Sequence, residues 1–248
     1  YEQDPYDSYF SGNVVQICPV GALTSAAYRF QARPFDLKST TTSCDHCAGG
    51  CEIRADHRHH QVKRHQAGDA PEVNEEWLCD KGRFGFVSGR GEDRLTRPLV
   101  RRNGVLQVAS WPEAIDAAVA GLKAAGTAVG VLPGGRLTVE NAYAYSRFAR
   151  TVLGTNNIDF RSRAASEEEA EFLAARIAGR GMDVTYADLE AAKHVVLVSY
   201  EPEDETSVVF LRLRKAVRKH GLKVTTLAPF ASRGTQKLSA TLIPVAPG

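Results

Sequence analysis

The stretch SCDHCAGGCEIR, residues 43–54, carries three cysteines within eight positions. Cys79 follows after 27 intervening residues and completes the pattern C-x2-C-x3-C-x27-C, which begins with Cys44, Cys47 and Cys51. Zinc sites usually come as two separated pairs of ligands, whereas here three crowd into one loop. That arrangement suits a cubane, because one loop can reach three irons while the fourth needs a separate approach. The pattern predicts a [4Fe–4S] cluster, with zinc and inert thiols as alternatives.

The residues around the cysteines fit a cluster loop. Gly49 and Gly50 allow the backbone to pass close to sulfides and to donate N–H groups to them. The neighbouring sequence predicts two short strands, Ile53–Ala55 and Gln61–Arg64, with DHRHH where the hairpin reverses. No second ligand type accompanies the nearby histidines at a fixed spacing, so we interpret them as a solvated turn rather than a metal site. They are His46, His57, His59, His60 and His65.

Composition narrows the class of protein. The 248 residues are 43% hydrophobic and 24% charged, and the net charge of +2 gives no case for nucleic acid or an anionic membrane surface. Apolar runs such as HVVLVSY are far shorter than a membrane span, and no signal peptide opens the chain. An odd number of cysteines, none after Cys79, fits thiolate ligands in a reducing compartment better than disulfides. The chain begins with Tyr1 and stops after a strand-like run, as expected of a piece of a longer protein.

From about Arg97 the sequence alternates between strand and helix signals. Residues 110–126 predict a helix that is capped by Ser110 and Glu113 and ends at Gly126. Its inward face is predicted from the apolar residues at helical spacing, Ile115, Ala118, Val119 and Leu122. TAVGVLP, residues 127–133, predicts a strand.

The alternation continues to the end of the chain. Thr138 is the predicted cap of a second helix that stops at Gly154, and a third helix covers residues 166–179. HVVLVSY is continuously apolar, as in a strand covered on both faces, and a helix and the strand LKVTTLAP follow it. We expect an α/β fold in which a small, mostly β [4Fe–4S] subdomain, residues 41–96, packs on a Rossmann-like parallel-sheet domain, residues 97–248.

The cysteine pattern, followed by DKGRFGF, resembles the iron–sulfur segment of the molybdopterin oxidoreductases, which include formate dehydrogenases and nitrate reductases. WPEAIDAAV and GTNNID extend the resemblance, which runs from about residue 41 to the end of the chain. It implies an incomplete molybdopterin-oxidoreductase-like domain behind a cluster on the four cysteines of the pattern.

The N-terminal stretch DSYFSGNVVQICPVGALTSAAYRFQARPFDL resembles the G-subunit family of bacterial NADH-quinone oxidoreductase, respiratory complex I. In that family ferredoxin-like clusters precede a molybdopterin-oxidoreductase-like domain. The resemblance implies that residues 1–40 are the C-terminal remnant of a ferredoxin-like domain. It also implies that Cys18, which Pro19 follows, is a ligand of a second cluster whose other ligands precede Tyr1. A buried structural thiol is the alternative.

Two features favour loss of the molybdenum cofactor. In active members of the family a metal-binding cysteine, selenocysteine or serine often follows the GTNN-like stretch, and that position falls here at about Ala165, beside Ser166. The loop after HVVLVS, where a dinucleotide phosphate would sit, is YEPEDE, and its carboxylates would repel a pyrophosphate. They belong to Glu201, Glu203, Asp204 and Glu205. The Gly134–Gly135 loop is a weak phosphate signal by itself.

Lys81 matches the lysine that active members place between cluster and pterin. With no pterin, we expect it to balance cluster charge or to cap a turn. The resemblance thus implies an electron-transfer or structural iron–sulfur part of a proton-translocating NADH:quinone oxidoreductase, with no molybdopterin and no catalytic residue of its own. Its expected partners are other peripheral-arm subunits, with no direct membrane insertion, on the cytoplasmic face of the bacterial membrane. An active formate dehydrogenase-like enzyme and a zinc-stabilised interaction module are the alternatives.

Overall fold

A computed structural model describes residues 7–160 and 166–247 of the chain. These residues form two compact units. One comprises the described residues of Tyr1–Arg90 and Gly181–Gly248, and the other comprises those of Gly91–Arg180. The first unit holds all five cysteines and therefore the predicted metal site.

The N-terminal part of the first unit is built around a three-stranded antiparallel sheet. A short helix, α1 (Gly12–Gln16), precedes the strands β1 (Lys38–Ser43), β2 (Glu52–Arg58) and β3 (Gln61–Ala67). His59 and His60 lie between β2 and β3 with φ angles of 49° and 60°, the left-handed conformation that a tight hairpin turn requires. The predicted hairpin and its point of reversal are thus confirmed, with longer strands than expected.

An irregular segment leads from β3 to a second helix, α2 (Asp80–Phe84), which begins directly after Cys79. Within that segment a single antiparallel bridge joins Ala70 and Glu75. A 3-10 turn over Gly85–Arg90 continues α2 to the end of this part of the unit.

The second unit contains the hairpin of β4 (Leu99–Arg102) and β5 (Val105–Val108), followed by α3 (Trp111–Ala125), α4 (Val139–Thr151) and α5 (Glu167–Phe172). The predicted caps are present, because Ser110 accepts the N–H of Glu113 at 3.4 Å and Thr138 accepts that of Asn141 at 3.3 Å. A π-helical turn over Leu173–Ile177 extends α5. The sequence therefore placed the three helices correctly.

Two predictions for this unit are wrong. The run at residues 127–133 forms no strand, and Val131 makes only an isolated parallel bridge with Ile158. The predicted inward face of α3 lies open, since Ile115 is 56% exposed and Val119 is 41% exposed. An apolar helix face becomes buried only where a sheet or another helix covers it, and the strand β4, which contacts α3, leaves these two side chains exposed.

The C-terminal part of the first unit forms the predicted parallel sheet. It contains α6 (Tyr186–Ala191), β6 (His194–Val198), α7 (Pro202–Glu205), α8 (Ser207–His220), β7 (Lys223–Ala228), α9 (Arg233–Lys237) and β8 (Thr241–Pro244). The strands run parallel in the order β6–β7–β8, and Gly221 ends α8 with a φ of 70°. A core joins strands and helices through Leu197, Phe210, Leu213, Ala216, Leu222, Val224 and Leu238.

β6 differs from its prediction. Leu197 is buried toward α8, but Val196 and Val198 on the opposite face are 55% and 65% exposed. Within the described chain, helices thus cover one face of this strand, whereas the apolar run predicted burial on both. No helix of the described residues combines the length and apolar character that a bilayer crossing requires.

Candidate metal centre

Four of the five cysteines line one small cavity. Cys44 follows β1, and its N–H donates to the carbonyl of Cys51 at 2.8 Å, so the pairing of β1 with β2 closes the loop between them. Cys47 lies within that loop, and Cys79 reaches the same cavity from the N-cap of α2. Apolar side chains form much of the remaining wall, including Phe10, Leu78, Val208 and Leu211. The fold therefore brings the predicted ligand set together.

Backbone N–H groups point at two of the sulfurs. The Gly49 N–H donates to Cys47 Sγ at 3.4 Å, and the Gly82 N–H donates to Cys79 Sγ at 3.5 Å. A Cβ at Gly82 would lie 3.0 Å from Cys44 Sγ, and one at Gly49 would lie 2.9 Å from a methyl of Val208. Glycine is needed at both positions because any side chain would enter the space beside the thiols. This donor set and the close backbone fit a thiolate-bound iron–sulfur cluster.

The cavity is unfavourable for free thiolates. Burial, reinforced by repulsion from the neighbouring thiolates, raises the pKa of Cys51 to about 12. Burial also raises the pKa of Cys44. Thiolates bind metal, so the site needs a cationic partner to hold its sulfurs in the charged form.

Among the described residues, no group of three or more His, Cys, Asp or Glu side chains is arranged to hold one metal ion. A tetrahedral zinc needs its four sulfurs at about 2.3 Å from one centre. Thiolates on a cubane bind four different irons, and their sulfurs therefore lie farther apart.

Cys18 lies apart from the other four cysteines. It follows α1 and lines a separate cavity of about 710 Å³ between residues 12–36 and the β2–β3 sheet. Hydrogen bonding from backbone N–H groups, that of Leu23 above all, lowers the pKa of Cys18. The CPVGAL loop thus favours the thiolate form of Cys18, although Cys18 does not line the four-thiol cavity.

The histidines take different places. His57, His59 and His60 lie on the hairpin, whereas His46 lines the thiol cavity. The Nδ1 of His65 lies 3.0 Å from the carbonyl oxygen of Gly82, and burial lowers the pKa of this imidazole. The solvated-turn interpretation therefore applies to His59 and His60, whereas His57 lies within β2 and is half-buried.

The acidic loop, YEPEDE at residues 200–205, is held by contacts within the chain. Glu203 is buried and forms an ion pair with Lys237, and Glu201 accepts the N–H of Glu203 at 3.0 Å. The Nζ of Lys81 donates to the carbonyl of Asp204 at 2.7 Å. Lys81 therefore ties the helix that follows Cys79 to this loop. Ala165, the predicted position of a lost molybdenum ligand, lies outside the described residues.

Sequence reasoning missed the buried polar residues that hold the site. Arg83, Arg212 and Asn74 are almost fully buried, and Tyr186 donates from its hydroxyl to the carbonyl of Gly49 at 2.7 Å. An Arg at an inward position of an otherwise apolar helix face is the one signal that could have revealed Arg212, since such a charge needs partners.

Family comparisons agree with this architecture. Residues 37–88 match the model of the molybdopterin oxidoreductase Fe4S4 domain, and residues 94–246 match that of molybdopterin oxidoreductase. The chain belongs to the molybdopterin oxidoreductase family.

Individual relatives narrow the resemblance further. The chain is 59% identical to the G subunit of NADH-quinone oxidoreductase from Streptomyces coelicolor and 59% identical to the protein of the same name from Mycobacterium tuberculosis. Both alignments cover 100% of this chain and 31% of the relative. It is also 40% identical to "NADH-quinone oxidoreductase subunit 3" of Thermus thermophilus, over 85% of this chain and 25% of that protein. The chain thus spans less than a third of these relatives, and the predicted resemblance to the G-subunit family is confirmed.

Proposed function

We propose that the chain binds one [4Fe–4S] cluster through Cys44, Cys47, Cys51 and Cys79. The observation that carries the proposal is the convergence of these four thiols on one largely apolar cavity, from a closed loop and a helix N-terminus. The family match to an Fe4S4 domain over residues 37–88 supports the same ligand set. Zinc is disfavoured because its sites usually take two separated pairs of ligands, whereas here three cysteines share one loop and the fourth comes from the N-cap of α2.

The residues of the chain hold the cluster rather than perform bond chemistry. A bound [4Fe–4S] cluster supplies one-electron transfer, or structural cross-linking where it lies off the electron path. Gly49 and Gly82 donate backbone hydrogen bonds to sulfur, which favours the more negative, reduced form. The apolar wall excludes water, and the Lys81 ammonium lies on the α2 side of the site. No catalytic residue is proposed.

The similarity to the G-subunit family suggests the protein complex to which the chain belongs. We propose that the chain is an iron–sulfur part of a proton-translocating NADH:quinone oxidoreductase, in contact with other peripheral-arm subunits. We propose that the complex holds it on the cytoplasmic face of the bacterial membrane, without a membrane segment of its own. Nucleic acid is not among the proposed partners.

We further propose that the molybdenum cofactor has been lost. The carboxylates of the YEPEDE loop, one of them buried in an ion pair with Lys237, occupy the position where a pyrophosphate would need a helix N-terminus. The alternative is an active molybdopterin oxidoreductase of the formate dehydrogenase type, and the family match over residues 94–246 is consistent with it. Molybdenum analysis of the parent protein separates the two, since one molybdenum per chain would establish the alternative.

The proposed organisation follows the sequence boundaries. We propose that residues 1–40 end a ferredoxin-like domain, that residues 41–96 form the cluster subdomain, and that residues 97–248 belong to the molybdopterin-oxidoreductase-like α/β domain. Cys18 is proposed as a ligand of a second cluster, and the lowered pKa of its thiol supports that role.

Metal analysis with two matched cysteine variants tests the ligand assignment. Anaerobically purified chain should contain about four iron and four sulfide per molecule and give an EPR signal on reduction. Cys79→Ser should lose iron or show an altered signal, whereas Cys18→Ser should keep the iron and sulfide content of the unsubstituted chain. One zinc per chain without sulfide would overturn the proposal, and so would an unchanged Cys79→Ser variant.

A further inference from the structure

We propose that Arg212 and Tyr186 are positioning residues that hold the Cys79 segment and the three-cysteine loop at a fixed separation, so that all four irons stay bound. The inference rests on the proposed cluster, and it assigns a role to two residues that do not contact the metal. Both lie on helices that pack beside the cavity, Arg212 on α8 and Tyr186 on α6.

Arg212 closes the irregular segment that leads to Cys79. Its guanidinium is buried, and it donates to the carbonyls of Val73 and Pro71, each at 2.6 Å from Nη2, with Nε 2.9 Å from the Val73 carbonyl. Its Nη1 lies 3.2 Å from a carboxylate oxygen of Glu75 and 2.7 Å from one of Glu190. A fully partnered buried guanidinium of this kind fixes the backbone it contacts.

Asn74 connects the segment that Arg212 holds to both cysteine-bearing stretches, the loop that ends at Cys51 and the residues before Cys79. Its Nδ2 donates to the carbonyl of Trp77 at 2.9 Å, two residues before Cys79. The same amide pairs with the backbone of Glu52, next to Cys51, through bonds of 2.8 Å to the N–H and 3.1 Å to the carbonyl. The segment clamped by Arg212 therefore sets the distance between the two cysteine-bearing stretches.

Tyr186 holds the other side of the site. Its hydroxyl donates to the carbonyl of Gly49 at 2.7 Å, which fixes the peptide between Cys47 and Cys51. The Arg212 guanidinium carbon lies 5.8 Å from the centre of the Tyr186 ring, so the two residues stabilise each other. Val208 on α8 packs against Cys51 in the same apolar cluster.

The consequence concerns the iron bound by Cys79. Ferricyanide removes one electron from a [4Fe–4S] core of charge 2+, and the resulting 3+ core can release Fe²⁺ and leave a [3Fe–4S] core of charge 1+. The charges and the irons balance in that step. We expect the iron whose protein ligand is held least firmly to leave first, because outer-shell contacts orient the ligands and strengthen metal binding. Freeing the residues before Cys79 should therefore promote this single loss without removing the other three cysteines.

Ferricyanide oxidation of the cluster-loaded chain tests the proposal. Arg212→Met and Tyr186→Phe are compared with Arg218→Met, which changes an exposed arginine in the last turn of the same helix. The rate of [3Fe–4S] formation is followed by EPR, and iron and sulfide are counted before and after. We expect about tenfold faster conversion in Arg212→Met, and a smaller acceleration in Tyr186→Phe. About three irons and all sulfide should remain per chain, and Arg218→Met should match the unsubstituted chain.

Each other outcome has a defined meaning. Equal rates in all four proteins, or loss of the whole cluster with no [3Fe–4S] stage, would overturn the positioning role. If circular dichroism shows that Arg212→Met does not fold, the same rates are compared for Arg212→Lys and Tyr186→Phe. Arg212→Lys keeps the positive charge and Tyr186→Phe keeps the aromatic ring, and faster conversion than in Arg218→Met is again the expected result. Failure of the unsubstituted chain to take up iron and sulfide would instead refute the proposed cluster, a result visible before any variant is compared.

Discussion

Asp80, the residue after Cys79, accepts hydrogen bonds from the backbone N–H groups of Ser11 at 3.0 Å and Gly12 at 2.8 Å. The carboxylate thus lies at the N-terminus of α1, where free N–H groups and the helix dipole favour a negative charge. In return the Asp80 N–H donates to the carbonyl of Tyr9 at 2.8 Å. These contacts join the helix that begins after Cys79 to the helix that precedes Cys18.

Removing the Asp80 carboxylate should loosen this junction. We expect Asp80→Ala to lower the free energy of unfolding by about 2 kcal/mol, because N–H groups of α1 lose a charged acceptor. Urea denaturation followed by circular dichroism measures the change. Asp69→Ala, at an exposed loop position, is the matched control and should change the free energy by less than about 0.5 kcal/mol. An Asp80→Ala variant as stable as that control would contradict the anchoring role.

Gly12 makes room for a buried arginine. Arg83 donates to Asn13 Oδ1 and to Gln16 Oε1, both at 2.8 Å, and a Cβ at Gly12 would lie 2.2 Å from Arg83 Cδ. Gly12→Ala should therefore displace the guanidinium from its partners and destabilise the chain by about 3 kcal/mol in urea denaturation. Gly121→Ala is the control, because its Cβ would meet open space within α3. That change should stabilise the helix by up to about 1 kcal/mol, so the two substitutions should have opposite signs.

The features that the sequence predicts well are those whose signals act over a few residues. The caps at Ser110 and Thr138 and the hairpin reversal at His59 depend on neighbours no more than four positions away. The common cavity of the four thiols was also expected, because metal chemistry demands a ligand set whatever path the chain takes between its members.

What the sequence could not reveal depends on distant partners. Arg212 binds carbonyls that lie 139 and 141 positions earlier, and Arg83 reaches Gln16 across 67 positions. Local patterns do not contain such pairings. The open faces of α3 and β6 have the same origin, because periodicity shows which residues are apolar and not whether a surface lies against them.

Acid should weaken the first unit through His65. Burial lowers the pKa of this imidazole below its ordinary value of about 6.5, an effect that the Gly82 carbonyl partly offsets. Between the lowered folded pKa and 6.5 the unfolded chain binds more protons than the folded chain, so stability rises with pH across that window and is lost as pH falls through it. Urea midpoints at pH 7.5 and pH 5.5 measure the loss. His65→Phe should reduce it by removing the titrating group, whereas the exposed turn variant His60→Asn should not. Identical pH dependence in the two variants would exclude His65 as its source.

Glu203 and Lys237 provide the sharpest test of the acidic loop. The Glu203 side chain is only 6% exposed, and its ion pair with Lys237 joins α7 to α9. Lys237→Met should leave a buried carboxylate without its cation and lower the free energy of unfolding by about 3 kcal/mol, while Lys219→Met at the exposed end of α8 should have little effect. Adding Glu203→Gln to Lys237→Met should recover much of that loss, with a coupling energy of about 1–3 kcal/mol in the double-mutant cycle. If the two substitutions are additive in urea denaturation, the pair does not hold the loop, and its carboxylates are free to take other partners.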